Sequence, residues 1–434
     1  MAGAGFDFNA LSHPARASLS EEMHVRKFPP FSAPARLMQI VMLCGEGTIA
    51  ASLEQVRALC APFGVQVADG RKYFTCQLGG LGFAWERHTE FVTYTFIAPP
   101  DGADLFSTAP FAAIPPDWLA ALPAQAIRAT LITVLGQHDP QPDEAELERH
   151  FAASDLVTCD VAGGKARIWS DFRLKPEGFG RLLVADRGLA GGETAQLVQR
   201  LQELGNYRNM ALLGLPIAQR LTPEVSRLEQ RLAALTAAVA GQQSRDDALL
   251  EELSYLSAEL ARLMAETRYR MSASRAYAQL CHDRVEELEV GAVRGFQTLI
   301  DFTERRLTPA LRTCESFSTR LEDLSQRAAW TSSLLTTRVD TALSRQNLEL
   351  LESMNRRSDL QLRLQQTVEG LSVVAISYYA VGLVGYVVKS LHTEFPAISY
   401  EVVTGALAVP VVLTVWFFIR RLRRKLHHPG AGGH

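Results

Sequence analysis

Apolar positions follow three regimes along the chain. From residue 36 to about 187, short apolar runs alternate with brief amphipathic stretches. The period predicts strands over 37–43, 65–68, 72–78, 81–87, 90–97, 129–135, 155–161, 166–172 and 181–186, and helices over 50–61, 116–121 and 142–151. Gly79, Gly80 and Gly82 mark one turn, and Gly163-Gly164 between two strand runs reads as a hairpin. Strands gathered into hairpins with a few helices make this an α+β domain with a mostly antiparallel sheet.

From about 190 the period becomes helical. Val225, Leu228, Leu232, Leu235 and Val239 step at three and four residues. So do Leu249, Leu253, Leu256, Leu260 and Leu263, and again Phe317, Leu321, Leu324, Ala328, Thr331 and Leu335. These are a/d seams, and they predict a long-helix, coiled-coil-like bundle. Breaks are expected at Pro216, Pro223, Gly241, Gly291/Gly295 and Pro309. The last segment runs from about 310 toward the C-terminus with no further Pro before the apolar runs.

In the third regime the period disappears. Residues 370–388 and 402–419 carry no charge at all. Each is long enough to cross a hydrocarbon core of ~30 Å as a helix. Together they predict a C-terminal two-helix transmembrane hairpin over 369–419. Trp416 sits where an interfacial anchor belongs. Arg420, Arg421, Arg423, Arg424 and Lys425 follow the second run, Arg356, Arg357 and Arg363 precede the first, and the connecting loop has one Lys. The positive-inside rule then places both termini in the cytoplasm of a two-span inner-membrane protein. The N-terminus lacks a basic segment followed by an apolar one, so no secretory signal is expected. The expected organisation is an arm (1–35), an α+β domain (36–187), a helical region (188–368), the hairpin, and a basic tail (420–434).

Composition narrows the classes. The 434 residues carry 44 Lys+Arg against 47 Asp+Glu, a net charge of -3, which argues against nucleic acid as a partner. Six cysteines stand singly with no C-x-x-C, so zinc ribbons, thioredoxin-type motifs and disulfide scaffolds are disfavoured.

Candidate chemistry is sparse. On a strand, Glu86, His88 and Glu90 would share one face and could take a divalent metal or do acid–base work. Further ligands would come from His13 and His24 of the arm. The plainer alternative is a wet half-face whose carboxylates pair with arginines. GLAGGET (188–194) precedes a helix, where Glu193 supplies its own charge to the first turn, so capping is favoured over an anion site. GGK at 163–165 is not a phosphate loop, because Cys159 replaces the leading Gly and Ala166 the Ser/Thr. H-E-x-x-H and G-x-S-x-G are both absent.

Four separated segments, HPARASLSEEMHVR, WERHTEFVTYTF, QRLQELGNYRNMALLGLPIAQ and VEGLSVVAISYY, resemble a bacterial family of membrane-anchored proteins known as domain of unknown function number 3422. Where members tend to carry Pro after the arm's Arg, this chain has Lys27. The resemblance implies an architecture and brings no reaction. The plan is also similar to that of CorA-type magnesium channels. Their Gly-Met-Asn after the first span is replaced here by GYVVKSLHTEF, so magnesium transport does not carry over. The expected function is a membrane-anchored binding or scaffold protein that self-associates through its helices. The alternatives are an oligomeric CorA-like channel or transporter and a metal-dependent enzyme using Glu86, His88 and Glu90. The sequence identifies no reaction.

Overall fold

The computed structural model describes residues 11–22, 28–45, 47–102, 104–241, 246–392 and 400–426. In chain order the elements are α1 (Arg16–Glu22), β1 (Ala35–Leu43), α2 (Thr48–Cys60), β2 (Tyr73–Leu78), β3 (Leu81–Arg87), β4 (Phe91–Ala98), α3 (Pro116–Ala120), β5 (Gln125–Leu135) and α4 (Glu144–His150). They continue with β6 (Val157–Val161), β7 (Ala166–Ser170), β8 (Gly180–Asp186), α5 (Glu193–Leu212), α6 (Gly214–Gly241), α7 (Asp246–Glu287), β9 (Gly291–Ala292), α8 (Leu299–His392) and α9 (Tyr400–Leu426).

Nine strands form one mixed sheet in the order β2-β3-β4-β1-β5-β8-β7-β6-β9. β1 and β4 lie inside it, and eight of the nine β1 residues and all of β4 are buried. That is why β1 reads ARLMQIVML with little alternation: both of its faces are covered. The sheet departs from an all-antiparallel expectation at one joint, where β5 and β8 run parallel with 130–135 against 180–185. The long connection through α4, β6 and β7 gives the chain the length such a return needs. Residues 65–68 are not a strand; the Val65 N–H instead donates to the Cys60 carbonyl at 3.3 Å, continuing the end of α2. β9, two residues long, carried no sequence signal.

Each face of the sheet has its own core. On one, Val56 and Leu59 of α2 and Trp118 of α3 join Phe83, Trp85, Tyr94 and Phe96. Polar groups there find partners: Trp85 Nε1 donates to Ser52 Oγ at 2.9 Å, and Ser52 Oγ lies 2.8 Å from the Tyr94 hydroxyl. On the other face, Leu197, Leu201 and Leu204 of α5 pack with Cys281 of α7 and Phe302 of α8 against Leu37, Ile132 and Val184.

The helical seams are buried within the single chain. Val225, Leu228, Leu232 and Leu235 of α6, Leu249 to Leu263 at their seam positions on α7, and Phe317, Leu321, Leu324, Ala328 and Thr331 of α8 are all below one tenth exposed. Arg320 reaches from α8 to Glu229 (2.8 Å) and Ser226 (2.8 Å) on α6. The expected breaks at Pro223 and Pro309 do not occur: α6 and α8 run through them. Buried Leu221 and Val225 flank the first, and Leu307 and Ala310 the second, so packing outweighs the ~3 kcal/mol that an interior proline costs.

Residues 1–332 and 333–434 are two separate compact units. The second holds the apolar stretches of α8 and α9, both long and apolar enough to cross a membrane. Their large side chains face outward, with Tyr378 77% and Phe418 65% exposed.

α6, α7 and α8 meet at three small residues. A Cβ on Gly214 would stand 2.6 Å from Ser274 Oγ, 3.2 Å from Ser274 Cβ and 3.3 Å from Cys314 Sγ. Gly214→Ala is therefore expected to destabilise the protein by about 1–3 kcal/mol through overpacking, although alanine is the better helix former. Urea unfolding in detergent checks this, and a gain in stability contradicts it.

Candidate functional site

The face of the sheet under α5 contains a polar seam inside an otherwise apolar core. Gln39, Thr95 and Thr130 point up from the strands, Gln202 and Asn206 point down from α5, and all five are at most 5% exposed. Arg128 of β5 crosses the seam. Its Nη1 donates to Gln39 Oε1 and to Asn206 Oδ1, each at 2.9 Å. Its guanidinium lies against the α5 backbone, where a Cβ on Gly205 would be 2.7 Å from Nη2. Gly205 is thus the residue that lets an arginine pass beneath the helix.

A small cavity lies on one side of this crossing, lined by Gln39, Tyr73, Glu86, His88, Gln202 and Glu203, among others. The Tyr73 hydroxyl and both ends of the Gln202 amide are buried there without a hydrogen-bond partner in the protein. The space, about 20 Å³, has the size and polarity at which one water binds.

A larger cavity of about 260 Å³ lies on the other side. Its apolar wall includes Ile127, Ile168, Leu182, Leu201, Leu204 and Leu299. Arg128, Arg173, Arg181 and Arg208 also line it, the Arg181 guanidinium being turned to the opposite face of the sheet against Phe106 (5.3 Å), and among the described residues no Asp or Glu lines it. Arg173 and Arg181 are neutralised nearby by Asp155 and by Glu177 (2.6 Å). Among the described residues, Arg128 has only the two neutral acceptors, and Arg208 makes no hydrogen bond or ion pair. The Arg208 guanidinium is stacked on Phe172 (4.4 Å) and Phe302 (5.3 Å), with its Nη1 shut from solvent and unpartnered. Burial, reinforced by the charge of Arg208, pulls Arg128 down to about 9; burial, with Arg306 adding to it, pulls Arg208 down to about 10. Phe172 has φ of 51°, a conformation unusual for an aromatic residue, fixed in part by Ser170 Oγ accepting from its N–H at 3.1 Å.

Several other arginines of the domain have acids nearby. Arg36 faces Asp101, Asp104 and Asp139; Arg284 donates to Glu203 at 2.6 Å; Arg167 donates to Asp160 at 2.6 Å.

The sequence-derived candidates are only partly brought together. Glu86, His88 and Glu90 do not share a strand face, which corrects that expectation. β3 ends at Arg87, β4 begins at Phe91, and the His88 N–H donates to the Phe91 carbonyl at 2.8 Å across a tight turn. Glu86 and His88 stay together at 3.6 Å, with the His88 ring stacked on Phe91 at 4.1 Å. Glu90 turns to α7, where it accepts from both Nη1 (3.2 Å) and Nη2 of Arg270. Burial and the Glu90 charge push the Tyr277 hydroxyl above its ordinary range. His13 is exposed, and its Nδ1 accepts from the Ala15 N–H at 3.2 Å. His24 lies outside the described residues. Among those residues, no group of three or more His, Cys, Asp or Glu could hold a metal ion. Glu193 is the first residue of α5 and its carboxylate accepts from the Ala190 N–H at 2.8 Å, while the N-cap, Gly192, makes no side-chain cap bond. In the tail, Arg420 stacks on Trp416 at 4.9 Å, Arg421 continues α9, and the side chains of Arg423, Arg424 and Lys425 lie outside the described set.

The model of a protein family of unknown function, DUF3422, matches residues 11–426. The chain belongs to this family. No curated protein matches the chain. The matched span includes the whole sheet, α5 and both apolar helices, so the seam and its arginines lie within the family's architecture. Sequence reasoning quoted the α5 segment for its resemblance and missed its chemistry. The available signal was Gln202 and Asn206 one helical turn apart on the face that also carries Leu201 and Leu204, together with Arg128 two residues before Thr130 on an inward strand face.

Arg270 and Glu90 join the β3–β4 turn to α7. Arg270→Leu is expected to cost about 3 kcal/mol because it leaves a buried carboxylate unpaired, while Arg270→Leu with Glu90→Leu costs less. Unfolding of the two variants beside the unaltered chain in denaturant checks this; a double variant no better than the single contradicts it.

Proposed function

We propose that this protein is a membrane-anchored ligand-binding protein. Its sheet domain and helices stand at the cytoplasmic face, and residues 370–388 and 402–419 cross the bacterial inner membrane with both termini inside. The observation that carries this reading is the outward exposure of the two uncharged runs. The α9 window has no buried residue, and the α8 window is 11% buried. A soluble helix with such composition would be covered by protein. Lipid is the covering that the length and the flanking Arg cluster fit. Binding, rather than a reaction, is supported by the cavities under α5, which hold unpaired polar groups but bring no nucleophile–base pair or metal set together.

Self-association belongs to the same reading, through a different surface from the buried seams. Leu343, Leu350, Met354, Leu364 and Val368 of α8 fall on one three–four-residue stripe, interrupted by Asn347, Arg357 and Gln361, and are all more than half exposed in a single chain, at 58, 56, 63, 67 and 58%.

Fractionation tests the anchor. Full-length protein is expected in the membrane pellet, resistant to alkaline carbonate, with a C-terminal reporter active only when the tail is cytoplasmic. Val409→Arg with Leu413→Arg should abolish that resistance, since each charge at mid-span costs about 2.5–3.5 kcal/mol of insertion. Release of the unaltered chain by carbonate contradicts the reading.

A further inference from the structure

We propose that the cavity between Arg128 and Arg208 is a binding site for a small amphipathic carboxylate: one anionic head set between the two guanidinium groups, and a compact apolar body against Ile168, Leu182 and Leu204. This rests on the ligand-binding reading of the sheet domain and names its ligand class.

Three observations converge on it. The first is charge without compensation. Arg128 and Arg208 line one cavity, the charge of Arg208 lowers the Arg128 pKa further below its ordinary value, and among the described residues no acid lines that cavity. Elsewhere in this domain Arg36, Arg167, Arg270 and Arg284 all face carboxylates. A buried cation without a counter-charge is costly, and an anion entering from outside supplies what the chain withholds. The second is preorganisation. Arg208 is braced on two phenyl faces, and its Nη1 is a buried donor with no partner in the protein. Arg128 is fixed by Gln39 and Asn206 and seated on Gly205. The strained Phe172 backbone holds one of those phenyl faces in place, and such strain gathers at ligand sites. The third is the apolar wall and the size. About 260 Å³ has room for a body of roughly nine non-hydrogen atoms at the ~30 Å³ share of a water. A bare inorganic anion would leave most of that wall empty, and a neutral molecule would leave both charges unanswered.

Because the arginines are unpaired in the protein alone, removing one charge should not harm the fold. Arg208→Met keeps the stem and its contact with the phenyl rings. It is expected to leave the melting temperature unchanged or raised, while weakening anion binding about ten- to a hundredfold. A structural arginine would show the opposite.

The test is isothermal titration calorimetry of the full-length protein in detergent, with 3-phenylpropanoate, its neutral counterpart 3-phenylpropanamide, and inorganic phosphate as probes. The acid is expected to saturate at one site per chain in the millimolar range or below and to bind at least about tenfold tighter than the amide or phosphate. Arg208→Met should lose that preference, and Arg208→Lys should recover part of it. Acid and amide binding alike, phosphate binding as tightly as the acid, no saturation by the acid at millimolar concentration, or Arg208→Met binding as the unaltered chain does would each overturn the proposal. The comparison of acid with amide needs no variant, so it decides even if Arg208→Met fails to fold, an outcome that itself counts against the proposal. Membrane pelleting is read separately, so loss of the anchor and loss of the anion site are distinguishable results.

Discussion

A guanidinium group removed from water needs a negative charge, several good acceptors, or an aromatic face. The domain under α5 gives Arg128 two neutral acceptors and Arg208 two aromatic faces, with no carboxylate for either. Much of the surrounding architecture is arranged around that choice. Gly205 leaves room for Arg128 beneath the helix, Phe172, whose backbone is left-handed, puts its ring 4.4 Å from Arg208, and the seam Gln39–Thr95–Thr130–Gln202–Asn206 interrupts an apolar core. Interiors with incompletely satisfied polar groups lose stability relative to apolar ones, so a sequence retains them where they serve recognition.

The contrast between the two faces of the sheet sharpens this. Under α2 and α3, the Trp85 indole and the Tyr94 hydroxyl are both satisfied by Ser52, and Arg36 lies near three aspartates with its Nε unpartnered. Under α5, the Gln202 amide, the Tyr73 hydroxyl and Arg208 Nη1 all lack protein partners. α7 and α8 close that second face through Cys281, Leu299 and Phe302, and the same α8 continues to His392 and includes the first apolar run.

Much of this was legible in the sequence. The 3.6-residue period located the seams of α6, α7 and α8, because burial there is set by local spacing. Eight of the nine proposed strands were located because their apolar runs are bounded by turn residues. Three failures have physical causes. Alternation across 86–90 implied one strand face, but Thr89 and Glu90 form a turn whose geometry depends on α7 drawing Glu90 away. Pro223 and Pro309 suggested helix ends, and tertiary packing overrode them. The parallel β5–β8 joint depends on contacts between residues some fifty positions apart, which periodicity cannot express. The arginine site was missed for a related reason: Arg128 and Arg208 are ordinary in their own segments, and only the fold places both in a cavity free of acids.

The central claim is that the charge of Arg128 and Arg208 is answered by a molecule outside the chain. A high-resolution experimental structure of the full-length protein, purified from cells without added carboxylates, tests it most directly. The account predicts density for a small ligand whose head touches both guanidinium groups within the α5 cavity. A side-chain carboxylate of the protein occupying that position, or a collapsed cavity with the two arginines turned out to solvent, would contradict it.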